Sequence, residues 1–287
     1  MMRDGNAVTT EHIVVGVDEH DASDRAVDWV AVRRVIPGSR IEIVTVANGW
    51  GGDVPALDRR LHRAAERLTG AHPRVGVTTA TLFGAPDRVL VETAATADLL
   101  VIGSRRQHRV RTALDGWMPE RVPTLSTVPT VVVPEDWRPS HGDVLLGVDD
   151  ASGDAALRFA GAQAVRDHRR LTLVRAWKAP VSARVGGLSV LEDPKLIQEH
   201  ARSILIDAER LLHIRFPGLQ HRPLLEEGDP SEVLGRHAPD ASVIVLGRQH
   251  RSVLGGLFFG STAHELIAAS RTPVCIAPLR TPTLDGR

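Results

Sequence analysis

Short, continuous apolar runs alternate with longer amphipathic stretches along the whole chain. The runs at 13–18, 40–47, 75–82, 99–103 and 130–134 are rich in Val and Ile, and five more follow at 143–149, 170–177, 220–226, 242–247 and 273–277. Uninterrupted runs of this length predict strands buried on both faces. Between them, Ser23 to Val35 and Asp154 to Asp167 have helical length and an Ala/Arg/Leu composition. Asp21 and Ser152 are the predicted N-caps, and Gly38 follows the first helix. Strand and helix in alternation predict an α/β fold, a doubly wound parallel sheet with helices on both faces.

The pattern occurs twice. His12-Ile13-Val14-Val15-Gly16-Val17-Asp18 returns as Asp143-Val144-Leu145-Leu146-Gly147-Val148-Asp149, 131 residues later. Three further matches are 144 residues apart: Gly84-Ala85-Pro86 with Gly228-Asp229-Pro230, the 99–103 run with 243–247, and Pro129 to Pro134 with Pro273 to Pro278. The second copy therefore carries about thirteen extra residues, between roughly 178 and 203. We assign domain one to 1–137 and domain two to 141–287, joined by the polar, turn-rich segment 135–142.

Composition narrows the functional classes. The 287 residues carry 35 basic and 35 acidic side chains, which argues against a general polyanion binder. Without Tyr, and with five Phe and five Trp, the chain is poorly equipped for stacking nucleic-acid bases. The single cysteine, Cys275, sits in an apolar run and reads as a buried structural thiol. No run of eighteen apolar residues is present and the first eleven residues are polar, so neither a membrane nor a nucleic-acid partner is expected and the location expected is cytoplasmic. The thirteen histidines show no His-Glu-x-x-His spacing, and no metal site is expected. Neither lysine, Lys178 or Lys195, stands in a Gly-Lys-Ser/Thr sequence, which excludes a Walker A loop. There is no Gly-x-Ser-x-Gly elbow, and no general base or nucleophile can be nominated.

Ligands of open parallel sheets bind at the carboxyl ends of the strands, where strand order reverses. The first strand of each copy ends in Gly-Val-Asp (Gly16 and Asp18, Gly147 and Asp149), and the fourth ends at Gly103 or Gly247, followed by a loop. In the second copy that loop runs from Gly247 through Arg248, His250 and Arg251 to Gly260, Ser261 and Thr262. Glycine-rich backbone and a helix start near Gly260 suit an anion, with hydroxyls from Ser261 and Thr262 and charge from the arginines. Such a turn serves packing equally well, and the residues alone leave both readings open.

The Gly-Val-Asp strand end, the Gly-x-Pro helix start and the glycine loop together resemble the universal stress protein family, over nearly the whole chain. The resemblance implies two tandem five-stranded parallel sheets of strand order 3-2-1-4-5, adenine nucleotide alpha hydrolase-like. It implies ATP, with or without Mg²⁺, as ligand. The nucleotide-binding branch of the family carries Gly, two residues, Gly, nine residues, Gly, then Ser or Thr. Gly247, Gly260 and Ser261 keep that spacing, while His250 replaces the middle glycine. By the same resemblance Asp149 lies near the adenosine and Ala176 meets the base. In the first copy, Gly16, Asp18, Val46, Gly103 and Gly116 are the counterparts, with Arg106 for the middle glycine and Trp117 for the Ser/Thr. Arg105, Arg106, Arg109 and Arg111 form a basic run there, either a solvated face or an anion site. Family members pair through the last strand, so Val131-Val132-Val133 and Val274-Cys275-Ile276 are expected to pair within one chain or between two chains.

The expected function is an ATP-binding, nucleotide-responsive regulator of stress response or growth, and not an enzyme. The alternatives are a nucleotide-free dimerisation or interaction module with degenerate loops and an ATP-hydrolysing enzyme.

Overall fold

A computed structural model of the chain describes residues 9–47, 54–105, 118–150, 154–179, 184–185, 188–189, 193–248 and 260–279. The first copy runs β1 (His12–Gly16), α1 (Asp21–Val32), β2 (Arg40–Ala47), α2 (Val54–Ala71), β3 (Gly76–Phe83), α3 (Pro86–Ala94), β4 (Leu99–Ser104), α4 (Met118–Leu125) and β5 (Thr130–Pro134). The second runs β6 (Asp143–Gly147), α5 (Asp154–Asp167), β7 (Leu171–Trp177), the short β8 (Arg184–Val185) and β9 (Leu188–Ser189), then α6 (Pro194–Arg215). It continues with β10 (His221–Glu227), α7 (Pro230–His237), β11 (Ala241–Gly247), α8 (Ser261–Ala269) and β12 (Val274–Ala277). The added length falls on the β8–β9 hairpin and on α6, which has 22 residues against 18 in α2.

Each copy has the order 3-2-1-4-5, and the two join in one ten-stranded sheet, β10-β7-β6-β11-β12-β5-β4-β1-β2-β3. Pairing is parallel within each copy and antiparallel at the seam, where Val274 faces Val132, Cys275 faces Val131 and Ile276 faces Thr130. Of the two pairings expected for the last strands, the structure takes the one within the chain. Those edges are consumed and offer nothing to a second chain. Helices α1, α2, α5 and α6 pack on one face of the sheet, and α3, α4, α7 and α8 on the other. Both apolar layers run across the seam: Val131 and Cys275 share one, Val132 and Val274 the other. Burial pushes the Cys275 thiol pKa up, keeping it protonated and inert as a packed side chain.

Local chemistry explains several boundaries. Strand β1 stops at Gly16 and β6 at Gly147, two residues earlier than the apolar runs predict, so Asp18 and Asp149 lie just beyond the strands. Helix α1 begins at Asp21, with His20 at the N-cap position, so Asp21 is a first-turn residue and not the cap. The Asp18 carboxylate accepts the His20 N–H at 3.0 Å, and Ser23 Oγ donates to the His20 carbonyl at 2.8 Å, which fixes this entry without a side-chain cap. The helix ends at Val32 because Arg33 turns extended, and Gly38, with φ +88°, serves the turn into β2 and not the helix end. The predicted cap Ser152 lies outside the described residues. Gly84 and Gly228, with φ +140° and +146°, make the strand-to-helix turns before Pro86 and Pro230, a backbone region costly for other residues.

A buried polar cluster holds the copies in register. Glu11 accepts from both ends of the Arg33 guanidinium, once at 3.0 Å, and pairs with Arg166 at 3.2 Å. Arg33 Nε donates to Gln163 at 2.9 Å, and Gln163 Nε2 donates to Asp167 at 2.6 Å. Burial, with Arg33 close by, pushes Arg166 down to about 10, still charged at neutral pH. One carboxylate thus serves two buried guanidiniums from different copies. Glu11→Gln should cost about 3–5 kcal/mol of unfolding free energy in urea, because both cations lose their counter-charge inside the protein. A loss under about 1 kcal/mol would show that the cluster is not holding the halves together.

Candidate functional site

In each copy strand order reverses beside the first strand, and a crevice opens between the carboxyl ends of β1 and β4, or β6 and β11. The first-copy crevice has a volume of about 260 Å³, and Gly16, Asp18, Val46 and Gly103 line it with Glu19, His20, Leu57 and Arg105. The second, bounded by the described residues, has about 80 Å³ and gathers Gly147, Asp149, Ala176, Gly247, Gly260 and Thr262. Ser261 opens α8 beside it, and Gly260 is that helix's N-cap, as the loop reading expected. His250, Arg251, Arg106 and Gly116 lie outside the described residues, as do Arg109, Arg111 and Trp117.

Arg248 departs from the expectation. Its Nη1 donates to the carbonyls of Thr124 (2.6 Å) and Ser126 (3.0 Å), at the carboxyl end of α4 in the other copy. It is no part of the crevice wall, and burial lowers its pKa. The charge read as phosphate-binding therefore answers the carbonyls at a helix end and straps the second loop's first residue to the first copy.

Arg175 is the residue that sequence reasoning missed. It lines the second crevice, with Nη1 donating to the Val148 carbonyl (3.2 Å) and Nη2 to Asp150 (2.7 Å). The signal was available: Arg175 is the one charged residue in the strand Leu171–Trp177.

The glycines differ in what demands them. A Cβ on Gly103 would stand 2.2 Å from the Ala22 carbonyl oxygen, so α1 packs on bare backbone there. A Cβ on Gly147 would meet the ends of the buried side chains of Leu246 and Leu234, at 2.6 and 3.2 Å, and not backbone. Packing alone accounts for Gly103.

The second crevice is braced by α7, whose Pro230 lines it. Asp229 caps that helix by accepting from Ser231 N (3.0 Å) and Oγ (2.7 Å), and Lys178 Nζ lies 2.6 Å from its other oxygen. Ser231 Oγ also bonds Glu265 of α8. The Lys178 ammonium, then the Ser231 donors, hold the Asp229 carboxyl at about 2, and the same pairing raises Lys178.

The Universal stress protein family model matches residues 9–134 and again 142–278. The chain belongs to that family, as a tandem member. A universal stress protein of Mycobacterium tuberculosis is 26% identical over 289 residues, covering 92% of this chain and 96% of its own. One of Mycolicibacterium smegmatis is 25% identical over 293 residues, covering 94% and 98%. The crystal structure of a universal stress protein from Archaeoglobus fulgidus shares the fold with a TM-score of 0.64 at 18% identity, covering 94% of this chain and 98% of that one. Among the described residues no helix is long and apolar enough to cross a membrane, and no group of three or more His, Cys, Asp or Glu could hold a metal ion.

Two measurements test the site's construction. Gly103→Ala should destabilise the protein by about 1–3 kcal/mol in denaturant with or without nucleotide, because the clash is with backbone. A neutral result would return Gly103 to a ligand role. Asp229→Ala should cost about 1 kcal/mol above pH 5 through loss of the cap. The Asp229 pKa is lower folded than unfolded, so its contribution is present above about 4 and fades as pH falls toward about 2. Melting curves of the two proteins should therefore converge in acid; a constant gap would count against the charged cap.

Proposed function

We propose that this universal stress protein binds ATP in the second crevice and acts as a nucleotide-responsive regulator of stress response or growth. The supporting observation is that one cavity at a strand-order reversal collects Gly147, Asp149, Ala176, Gly247, Gly260 and Thr262 from positions far apart in sequence, with the first turn of α8 in its wall. In this reading Asp149 stands by the ribose or adenine, and Ala176 lies against the base. Gly247, Gly260, Ser261 and Thr262 take the phosphates at a helix N-terminus, where backbone donors and the dipole favour negative charge. His250 and Arg251 complete the loop, and Arg248 is withdrawn to its bond with the first copy. The ligand works by binding two conformations unequally. No residue is assigned a catalytic role.

A second reading places the nucleotide in the first crevice, because that cavity is the larger and holds Gly16, Asp18, Val46 and Gly103, with Arg106 and Gly116 following in sequence. One experiment separates the two. Purified protein is denatured and assayed for released adenine nucleotide, and stripped protein is then titrated with ATP beside Gly260→Trp and Val46→Trp. The proposal expects saturable binding that weakens at least tenfold in Gly260→Trp and stays unchanged in Val46→Trp. The reverse pattern moves the site to the first copy. Neither release nor saturable binding leaves the chain as a nucleotide-free interaction module.

A further inference from the structure

A third cavity lies away from both crevices, toward the amino end of β11, where the ends of α1 and α5 meet the 135–142 linker. Its volume is about 240 Å³, roughly eight waters' worth of liquid. Both copies contribute to it. Arg33, Arg34, Asp167 and Arg169 bring charge to its wall, and the indoles of Trp29 and Trp137 supply apolar surface.

We propose that this cavity binds a small phosphate-bearing anion, with Arg34 and Arg169 holding its charged oxygens and Asp167 accepting a hydrogen bond from a protonated one.

The guanidiniums there are not equally committed. Arg33 is spent on Glu11 and Gln163. Arg169 has no carboxylate partner: Nη1 donates to the Gly142 carbonyl at 2.9 Å, Nη2 faces His141 Nδ1 at 3.4 Å, and the buried Nε has no partner among the described residues. Arg34 is exposed and has no hydrogen bond or ion pair among the described residues. Two guanidiniums without an ion-pair partner among the described residues therefore share the cavity with one carboxylate. Helix carboxyl ends attract cations, yet the last carbonyls here are answered by backbone: Arg33 N donates to Trp29 O at 3.1 Å and Arg169 N to Ala164 O at 2.9 Å. Neither guanidinium is needed as a cap.

Asp167 selects among anions. One oxygen accepts from Gln163, while buried Oδ1 has no partner among the described residues. Between Asp167 and Arg169, His168 takes the left-handed conformation (φ +53°), which returns the chain so that both neighbours reach the same cavity. A carboxylate beside two guanidiniums repels an anion that has no proton to donate. Near neutral pH, inorganic phosphate carries a proton-bearing oxygen as well as charged ones, and a phosphate monoester, whose second pKa is about 6, does so in its monoanionic form, whereas sulfate of nearly the same size carries none. The arginine fork suits the charged oxygens.

The test is calorimetric titration of the intact chain at constant ionic strength with inorganic phosphate, glycerol phosphate, succinate and sulfate. Expected are saturable binding of phosphate or its ester, none of sulfate or succinate, and at least a tenfold loss in both Arg34→Ala and Arg169→Gln. Arg34→Ala removes an exposed, unpaired side chain, so its folding is safe. Asp167→Asn should gain sulfate binding. Glycerol phosphate binding more tightly than phosphate identifies a phosphate-bearing metabolite as the source; the reverse identifies the free ion. Equal binding of sulfate and phosphate, binding of succinate alone, absence of saturable binding, or phosphate binding unchanged in Arg34→Ala would each overturn the proposal.

Discussion

The antiparallel contact between β5 and β12 is the constraint on which the rest of the molecule depends. A parallel five-stranded unit ends in an apolar edge strand with unpaired amides and carbonyls, a surface that must be covered. Here each copy covers the other's. The short ladder from Val132–Val274 to Thr130–Ile276 carries the hydrophobic layers across the midline, so the helices on each face enclose a core shared by both copies. The Glu11 cluster then adds direction to this contact, since buried charges tolerate few alternative arrangements. Position along the seam follows from polar pairing, and cohesion from the apolar layers.

Much of this was legible in the residues. The ten expected strands all form, and the eight inner ones are largely buried on both sides, as a central parallel strand must be; β3 and β10, at the two ends of the sheet, are exposed or half-buried and not buried on both faces as expected. Asp154 to Asp167 became a helix with those ends. The repeat supplied the two-fold organisation, but strand order came through family resemblance. Misreadings occurred where a residue's role depends on something distant in sequence. Asp21 lost the cap position because Asp18 and Ser23 already organise the turn at His20. Gly38 has the conformation glycine was expected to supply, in a different turn.

The crevices show the same division more sharply. Spacing identified which residues gather at each strand-order reversal. It gave no view of Arg248 turning away toward Thr124, because that carbonyl belongs to the other copy. Nor did it show which glycine is kept bare for a packed helix. Gly103 and Gly247 occupy equivalent places in the motif, yet the demand on Gly103 comes from the Ala22 carbonyl. A matched motif position therefore says where a residue lies before it says what holds it there.

Arg248 carries one more consequence. Its first-copy counterpart, Ser104, is a buried serine at the end of β4 and makes no reciprocal bridge of this kind among the described residues. In an assembly of two identical chains about a two-fold axis, any side chain crossing the interface crosses it twice, and any substitution is felt on both sides. Joining the halves by a short linker lifts that requirement. It also holds the partner at a fixed high effective concentration, so association does not weaken on dilution. One half can then lose a feature while the other keeps it, and a strap can run in a single direction. The one-way arginine is a mark of symmetry relaxed by covalent fusion.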